Sequence, residues 1–454
     1  MKITRKIWAV FFIMMLSLVL AACSGKEDTS SKEAPKEEAK SVQTITSDEL
    51  QSNLDKKDWV VVDTRITDAY NGWKLEGVER GGHIKGAVDF SATWLTVDAK
   101  DKEKQLEAAL KDKGITSDKN VVLYDANGKD AKAVAAFLTD KGFKNLYTFD
   151  VNEWASTKDL AMESYPNYEM LVPAAWVNDL IKNENNGKPY KIFEASWGDE
   201  APDYKKGHIP SAVHINTDEV EEGPVWNRLK DPALEKFALN NGITTDTTVV
   251  LYGSDSMPAY RVAVILKYMG VKDVRVLNGG FTAWSNAGYD IDKKDNAKTA
   301  GTEFGATVPA NPGYIIDLPQ AKEILADKEG SILVDIRSWD EFTGKISGYD
   351  YIEAKGRPAG SVWGHAGSDN SNLQDFRNID STMKNGQEIL AMWEKDGITP
   401  DKNLSFYCGT GWRAAEVLFY ADVMGLEHIS LYDGGWNEWS MDPSNPVETG
   451  APSK

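Results

Sequence analysis

One cysteine opens a glycine-rich run that ends in an arginine. The run is followed by a helical apolar pattern from Ala414. Backbone N–H groups at the start of a helix attract anions, and glycines let several of these groups converge on one point. A thiol at such a point is shifted toward its nucleophilic thiolate form. We therefore predict a nucleophile and its binding loop in the six residues Cys408, Gly409, Thr410, Gly411, Trp412 and Arg413.

The alternative interpretation is that Cys408 is a small buried packing residue, which is the commonest role of a free cysteine. The chain has only one other cysteine, Cys23, so the sequence offers neither a disulfide framework nor a cysteine-rich metal site. Exported proteins usually pair their thiols, and two glycines and an arginine are unusual neighbours for a packing residue. These features favour a reactive Cys408, and we predict neither a metal nor a cofactor.

The loop lies in the third of three repeated segments. Each repeat has a strand near an acidic residue, a glycine turn, a strand ending in tyrosine, a helical pattern, and a last strand followed by tryptophan. The runs ending in tyrosine are Val121-Val122-Leu123-Tyr124, Val249-Val250-Leu251-Tyr252 and Leu404-Ser405-Phe406-Tyr407. Asp125 and Gly253 stand where the third repeat has Cys408. The nucleophile is therefore present in one repeat of three.

Alternation of short strands with helical patterns predicts an α/β fold, with a parallel sheet in each repeat and helices on both faces. In such sheets the functional crevice lies beyond the carboxyl ends of the strands. We predict domains at residues 43–165, 166–299 and 300–454, with a linker within residues 286–313. A polar run between Gly364 and Gly386 lengthens the third repeat and predicts a loop over its crevice.

The N-terminus is typical of an export signal. Basic residues precede an apolar run at residues 7–20, which is short for a membrane span, so residues 1–22 are predicted to be a signal peptide. The ending at Cys23 resembles the lipobox of bacterial lipoproteins, which implies lipid attachment to its sulfur. Residues 23–42 form a predicted solvated tether. We expect an exported lipoprotein, facing the periplasm or on the outer face of the cytoplasmic membrane. Ordinary secretion is the alternative.

The overall charge excludes one class of partner. The chain of 454 residues has 51 basic and 70 acidic side chains and a formal charge of −19. Nucleic acid requires a basic surface, and anionic lipid headgroups attract basic segments. We therefore expect no nucleic-acid partner and no membrane contact other than the lipid. With 41% hydrophobic residues, the body of the chain is globular rather than disordered.

The repeated strand and acid, the turn Gly207-His208-Ile209-Pro210 and the Cys-x-x-Gly-x-Arg loop resemble rhodanese domains of sulfurtransferases. The third repeat is similar to that of three-domain periplasmic bacterial sulfurtransferases. The resemblance implies three tandem rhodanese-like domains, of which the third is catalytic. It also implies transfer of sulfur from a small donor, thiosulfate or 3-mercaptopyruvate, through a Cys408 persulfide to a thiol or cyanide. A protein donor or acceptor is a further expectation.

The resemblance suggests accessory residues as well. Asp335 and Arg337 end the first strand of the third repeat, as a structural pair or as the floor of the site. Two-domain sulfurtransferases use extra arginines for an anionic donor, and one such position holds Glu341 here. Lys355 and Arg357 are candidate replacements. This departure weakens the expectation of thiosulfate or mercaptopyruvate held by those contacts.

Two other functions stay open. Cysteine phosphatases and arsenate reductases also close a thiolate loop with an arginine, and those most similar to rhodaneses have one more intervening residue. Four residues separate Cys408 from Arg413, a ring that suits one sulfur atom better than a phosphate. A non-catalytic binding or scaffold lipoprotein would account for the two repeats without a nucleophile. It would leave the loop at Cys408 unexplained.

Overall fold

The computed structural model describes residues 42–452, in which three segments fold into the same α/β unit. The first domain contains β1 (Gln43–Thr44), α1 (Ser47–Gln51), β2 (Trp59–Asp63), α2 (Thr67–Asn71), β3 (His83–Ile84), β4 (Val88–Asp89), α3 (Lys102–Asp112), β5 (Asn120–Asp125), α4 (Asp130–Asp140), β6 (Leu146–Asp150), α5 (Val151–Ser156) and β7 (Met162–Glu163).

The second domain contains β8 (Leu171–Val172), α6 (Ala174–Lys182), β9 (Tyr190–Ser196), α7 (Pro202–Lys206), β10 (Val213–Asn216), β11 (Glu221–Glu222), β12 (Asn227–Arg228), α8 (Asp231–Asn240), β13 (Thr248–Tyr252), α9 (Met257–Met269), β14 (Asp273–Leu277) and α10 (Gly280–Asn286). The third contains β15 (Ile315–Ile316), α11 (Leu318–Ala326), β16 (Ser331–Asp335), α12 (Trp339–Phe342), β17 (Arg357–Pro358), β18 (Val362–Trp363), α13 (Gly386–Lys395), β19 (Asn403–Tyr407), α14 (Trp412–Val423), β20 (Ile429–Tyr432), α15 (Gly435–Met441) and β21 (Val447–Glu448).

Each domain has a five-stranded parallel sheet with the same strand order. The orders are β1-β6-β5-β2-β4, β8-β14-β13-β9-β10 and β15-β20-β19-β16-β18. The central strands are β5, β13 and β19, which are the three runs that end in tyrosine. The prediction of three repeated α/β domains with parallel sheets is confirmed. The carboxyl end of each central strand lies at the edge where such folds bind ligands.

The tryptophans that recur near the end of each repeat belong to the cores. Trp154, Trp284 and Trp436 are all buried, with 1% or less of their surface exposed. Each indole removes ~200 Å² from water, which is worth about 5 kcal/mol before entropy costs are counted. Their recurrence in all three domains therefore reflects packing.

The second and third domains share a core. Helices α9 and α14 follow the equivalent strands β13 and β19 and pack against each other, with the Tyr260 and Phe419 rings 5.3 Å apart. Because both helices begin at the carboxyl ends of their strands, their first residues, Met257 and Trp412, line one cavity. The functional edge of the third domain is thereby covered by the second.

The first domain joins the third through a buried ion pair. The Nζ of Lys113 lies 2.7 Å from Asp89 of its own domain and 2.5 Å from Glu388 of the third. The Gly386 N–H also donates to the Tyr165 hydroxyl, over 2.7 Å. Burial of paired charges of this kind fixes how two surfaces fit together. These contacts lie away from the cavity beside the cysteine loop.

Two sequence expectations concern segments outside the sheets. The predicted linker at residues 286–313 contains no helix or strand beyond Asn286, but its Phe304 is buried and its carbonyl accepts the Thr245 N–H. The predicted signal peptide, most of the tether and Cys23 lie outside the described residues. Across residues 42–452, no helix is both long enough and apolar enough to span a membrane.

Candidate active site

The predicted cysteine loop connects β19 to α14. The helix begins at Trp412, two residues before the position that the apolar pattern indicated. Gly411 caps it with a φ of +100°, in the left-handed region that favours glycine. An added Cβ at Gly411 would lie 2.9 Å from the guanidinium of Arg261. Close approach of the second domain and a positive φ both require glycine at this position.

Cys408 lies buried at the end of the strand, with 1% of its surface exposed. Within residues 42–452 its sulfur accepts one hydrogen bond, from the Gly411 N–H over 3.2 Å. Its carbonyl accepts the Trp436 N–H over 2.8 Å, and the Gly409 carbonyl accepts the Asn437 N–H over 3.0 Å. The start of α15 thus holds the loop backbone. The Gly411 N–H, at the start of α14, is directed at the sulfur, where a helix N-terminus favours an anion.

Arg413 is not a free cation. Its guanidinium donates to both oxygens of Glu341, over 2.9 and 2.8 Å, and also to the Tyr349 hydroxyl and the Asp369 carbonyl. Burial disfavours the Glu341 carboxylate, but the charge and hydrogen bonds of Arg413, together with Arg337 and the Ser338 hydroxyl, outweigh it and lower the pKa of Glu341. Tyr349 also lies against the loop, since an added Cβ at Gly409 would overlap its ring.

A cavity of about 490 Å³ adjoins the loop, between the second and third domains. Its lining is mostly aromatic and apolar, with two carboxylates. The second domain contributes Trp197, Glu221, Trp226, Asp255 and Met257, and the third contributes Tyr349, Tyr351, Asn370, Ser371, Thr410, Trp412 and Arg413. Of the predicted loop, Thr410, Trp412 and Arg413 line the cavity, while Cys408, Gly409 and Gly411 are not among its lining residues. A small organic molecule would fit beside the cysteine loop.

Residues of the second domain hold the loop, and sequence reasoning did not find them. The Trp412 Nε1–H donates to Glu221 over 2.7 Å, and Arg261 donates to Glu221 over 2.9 Å and to Asp433 over 2.7 Å. Trp412 therefore both lines the cavity and contacts a neighbouring domain. Arg261 lies among apolar residues in the first half of α9, whose other charged residue, Lys267, is in the last turn, and this was the signal that could have identified it.

The buried Glu221 carboxyl has an unusual ionisation. Burial raises its pKa to about 7, although Arg261 and the Trp412 N–H act in the opposite direction. Asp433, which pairs with both Arg261 and Arg228, has a lowered pKa because these two cations outweigh its burial. The cations of this cluster therefore stabilise Asp433 more than they stabilise Glu221.

The predicted accessory pair is buried apart from the cavity. Arg337 pairs with Asp335 over 2.6 Å and donates to the Gly356 carbonyl over 2.9 Å. The first domain has the same arrangement, with Arg65 bound to Asp63 over 2.6 Å. The first domain has this pair but no cysteine in its loop, so the pair does not depend on a cysteine. In both domains it ties a strand end to a turn.

The two basic replacement candidates also lie elsewhere. Lys355 is exposed, and Arg357 is buried against Glu448 and the Gly450 carbonyl. Neither side chain is among the residues that line the described cavity. Of the predicted accessory cations, none of Arg337, Lys355 and Arg357 lines the described cavity.

The predicted loop over the crevice is partly anchored in the core. Asn370 and Ser371 line the cavity, as expected for residues 364–386. Leu373 and Phe376, however, are buried with 1% or less of their surface exposed. Loss of Leu373 or Phe376 would open the core of the third domain, because their apolar side chains fill space there.

The first two domains have a carboxylate in the loop that carries the thiol in the third, at the cysteine position itself in the first domain and two residues later in the second. Asp125 accepts the Ala131 N–H over 3.0 Å near the start of α4. Asp255 accepts the Met257 N–H over 3.1 Å at the start of α9. The positive end of each equivalent helix is thus occupied by an anionic side chain of the same chain. These two loops provide no nucleophilic sulfur.

Known proteins resemble this chain over most of its length. The Rhodanese-like domain family matches residues 46–156, 174–287 and 317–442. Thiosulfate sulfurtransferase YnjE of Escherichia coli (strain K12) is 43% identical over 412 residues, covering 89% of this chain and 92% of that protein. The wild-type structure of EanB superimposes with a TM-score of 0.87 and 39% identity, covering 91% of this chain and 99% of that one.

A further similar structure contains a small molecule. The anaerobic ergothioneine biosynthesis enzyme from Chlorobium limicola was solved in complex with its natural substrate, trimethyl histidine. It has a TM-score of 0.86 and 39% identity, and covers 90% of this chain and 100% of that one. Each of the three family matches coincides with one of the three sheets, and the similarity to sulfur-transferring enzymes extends over most of the chain. The chain therefore belongs to the rhodanese family and is a sulfurtransferase.

Proposed function

We propose that the chain transfers a sulfane sulfur through a persulfide on Cys408. The Cys408 thiolate attacks the outer sulfur of a donor, forming a new S–S bond while the donor remnant leaves with the electron pair of the broken bond. With thiosulfate the leaving group is sulfite. An acceptor then attacks the terminal sulfur of the persulfide, and the Cys408 thiolate is regenerated.

The observation that carries this proposal is the position of the Cys408 sulfur. It accepts the Gly411 N–H at the start of α14, beside a cavity large enough for a small molecule. Main-chain donors at a helix start stabilise both a thiolate and the terminal anion of a persulfide. The Arg413 Nε is buried without a hydrogen-bond partner among the described residues, so a donor is available for the anion. The loop itself supplies the required electrostatics.

For the substrates, we propose thiosulfate or 3-mercaptopyruvate as small donors and a thiol or cyanide as acceptor. The similarity to YnjE supports a small inorganic donor. The pairing of Arg413 with Glu341 leaves no unpaired cation among the described cavity residues, which disfavours tight binding of an anionic donor. A protein persulfide is a donor that would avoid this difficulty.

A second candidate acceptor is the imidazole ring of a trimethylated histidine. EanB structures with hercynine or ergothioneine carry replacements of a tyrosine 59 positions before the persulfide cysteine and of a threonine two positions after it. Tyr349 and Thr410 stand at the same distances along this chain from Cys408. Both line the cavity. This agreement supports an aromatic nitrogen heterocycle as an acceptor.

The test is intact-mass analysis of the full chain after exposure to each donor. We expect a gain of one sulfur that is absent in Cys408→Ser and is removed by cyanide. A matched test of the acceptor adds trimethyl histidine or a thiol to the isolated persulfide form and follows the loss of that sulfur. Phosphate release from an aryl phosphate without a sulfur adduct would favour a phosphatase. If neither the sulfur adduct nor free phosphate forms, the scaffold alternative is favoured.

We also infer export and lipid attachment at Cys23, on the lipobox-like ending of the predicted signal peptide. Labelled palmitate should be incorporated into the native chain and not into Cys23→Ser. The native protein should fractionate with membranes and the variant should not. Membrane association that survives the substitution would contradict the inference.

A further inference from the structure

A buried carboxylate lies in the part of the cavity wall that the second domain forms. Glu221 lies in β11, with 2% of its surface exposed, and lines the cavity beside the cysteine loop. One of its oxygens accepts the Trp412 N–H and the other accepts from Arg261. Each carboxylate oxygen has a second lone pair, so both oxygens can still accept from a ligand.

The cations around the cavity are already engaged. Arg413 forms two hydrogen bonds to Glu341, and Arg261 is shared between Glu221 and Asp433. A third, Arg377, is bound to both oxygens of Glu416 and lies 3.6 Å from Asp255. Each of the two lining carboxylates also has an arginine near it, but the carboxylates of this cluster outnumber its guanidiniums. The electrostatic potential there favours positive charge.

The other walls suit the same kind of ligand. Aromatic faces attract cations through their quadrupole, most strongly for tryptophan. Trp197 is 64% exposed and Tyr351 is 55% exposed, although both line a cavity of mostly apolar character. The Trp226 and Tyr351 rings lie 6.4 Å apart, from the second and third domains respectively. Large rings left exposed at a cavity indicate a surface that a ligand covers.

We propose that Glu221 is a specificity-determining residue: it makes the site beside Cys408 select small ligands with a permanent positive charge, such as a quaternary ammonium, over anionic ones. The inference rests on the proposed function, because the selected ligand is the sulfur acceptor. The second domain, which has no nucleophile, thereby selects the substrate on which the third domain acts. Asp255, which also lines the cavity from the second domain, contributes in the same direction.

The experiment uses two methanethiosulfonate reagents of similar size that modify thiols directly. One carries a 2-(trimethylammonio)ethyl group and the other a 2-sulfonatoethyl group. In each case the Cys408 thiolate attacks the divalent sulfur of the reagent. The bond from that sulfur to the sulfonyl group breaks, which gives a mixed disulfide and releases methanesulfinate. Rates at Cys408 are followed in the full chain by peptide mass analysis. The ratio of the two rates cancels the reactivity of the thiolate and reports the charge of the site.

We expect the native protein to favour the cationic reagent, and Glu221→Gln to reduce that ratio by about tenfold. The matched control is Glu222→Gln, which removes the same charge from the next residue of β11, an exposed side chain outside the cavity lining. The control should change the ratio less than about twofold. Asp255→Asn, an exposed position, should reduce the ratio severalfold and serves if Glu221→Gln does not fold.

Equal ratios in the native protein and both cavity variants would overturn the proposal, as would an equal effect in the Glu222 control. Failure of both reagents to reach Cys408 would also overturn it, because the cavity would then give no access to the sulfur. Formation of the persulfide is measured separately with the donors. If the persulfide forms but the ratio is unchanged, only the charge selection is refuted. If the ratio changes but no persulfide forms, only the sulfur transfer is refuted.

Discussion

Glu341 binds the guanidinium of Arg413 through two hydrogen bonds, of 2.9 and 2.8 Å, at the end of the cysteine loop. Both side chains are buried. The arginine that closes the loop is therefore compensated in place and contributes little net charge toward the cavity. This relationship separates the chain from an enzyme whose loop arginine is free to hold a dianion.

Replacing Glu341 should change the response to anionic donors. In Glu341→Gln the charge of Arg413 is no longer balanced, so we expect the KM for thiosulfate to fall by about tenfold. The same change breaks a buried pair and should lower the free energy of unfolding by about 3 kcal/mol. Steady-state kinetics and thermal unfolding measure the two effects.

The control for this change is Asp340→Asn, next in sequence. Asp340 forms a surface pair with Lys345, 2.9 Å away, and exposed pairs of this kind contribute little. Its KM and stability should stay near the native values. An unchanged or higher KM in Glu341→Gln would show that Arg413 does not meet the donor.

The close contact between Gly409 and Tyr349 predicts sensitivity of the loop to one added methyl group. An added Cβ at Gly409 would overlap the Tyr349 ring. The Tyr349 hydroxyl also accepts a hydrogen bond from Arg413, so the ring cannot move freely. We therefore expect Gly409→Ala to displace the loop and to reduce sulfur transfer about a hundredfold. Gly313→Ala is the control, because a Cβ there meets open space among the described residues. Full activity in Gly409→Ala would contradict the packing.

Charge selection should depend on pH through Glu221, whose pKa burial raises to about 7. Above pH 7 the carboxylate is ionised and the cationic reagent is preferred. As the pH falls through about 7 the group is protonated, and the ratio of cationic to anionic rates should decline. The charged neighbours Arg261, Asp433 and Arg413 keep their charge over this range, and Glu221→Gln should give a nearly flat profile. An equal slope in both proteins would assign the titration to another group.

The stability of the molecule should also vary with pH through Asp68. This side chain is buried in the first domain and accepts from Asn278 of the second, over 3.0 Å. Burial raises its pKa to about 7, and nearby Asp380 adds to the effect against the Asn278 bond. The folded state therefore favours the neutral acid. Its stabilising contribution is full below the unfolded pKa of about 4 and is lost as the pH rises through about 7.

We expect Asp68→Asn to be more stable than the native chain at pH 8, by about 1–2 kcal/mol, and close to it at pH 5. Thermal unfolding at the two pH values measures the difference. Asp55→Asn, which changes an exposed carboxyl of the same domain, should show no such divergence. A variant that is less stable at pH 8 would mean that the carboxylate is stabilised where it lies.

Local patterns were sufficient for the repeats and for the cysteine loop. Strand and helix periodicity, the tyrosine at the end of each central strand and the glycines around Cys408 act over short stretches of chain. The start of α14 was placed two residues late, because Trp412 and Arg413 show no apolar periodicity and the cap at Gly411 depends on its φ. The accessory role suggested for Lys355 and Arg357 stays untested, and both lie apart from the cavity.

The sequence by itself determined that one repeat of three has a cysteine at the end of its central strand. Only the tertiary structure decided what surrounds it. Arg413 meets Glu341 across 72 positions of chain, and Trp412 meets Glu221 across 191. No local pattern encodes such pairs, because the first exists only when the third domain folds and the second only when the second and third domains pack together. The charge of the site is therefore a property of the packed domains rather than of the loop.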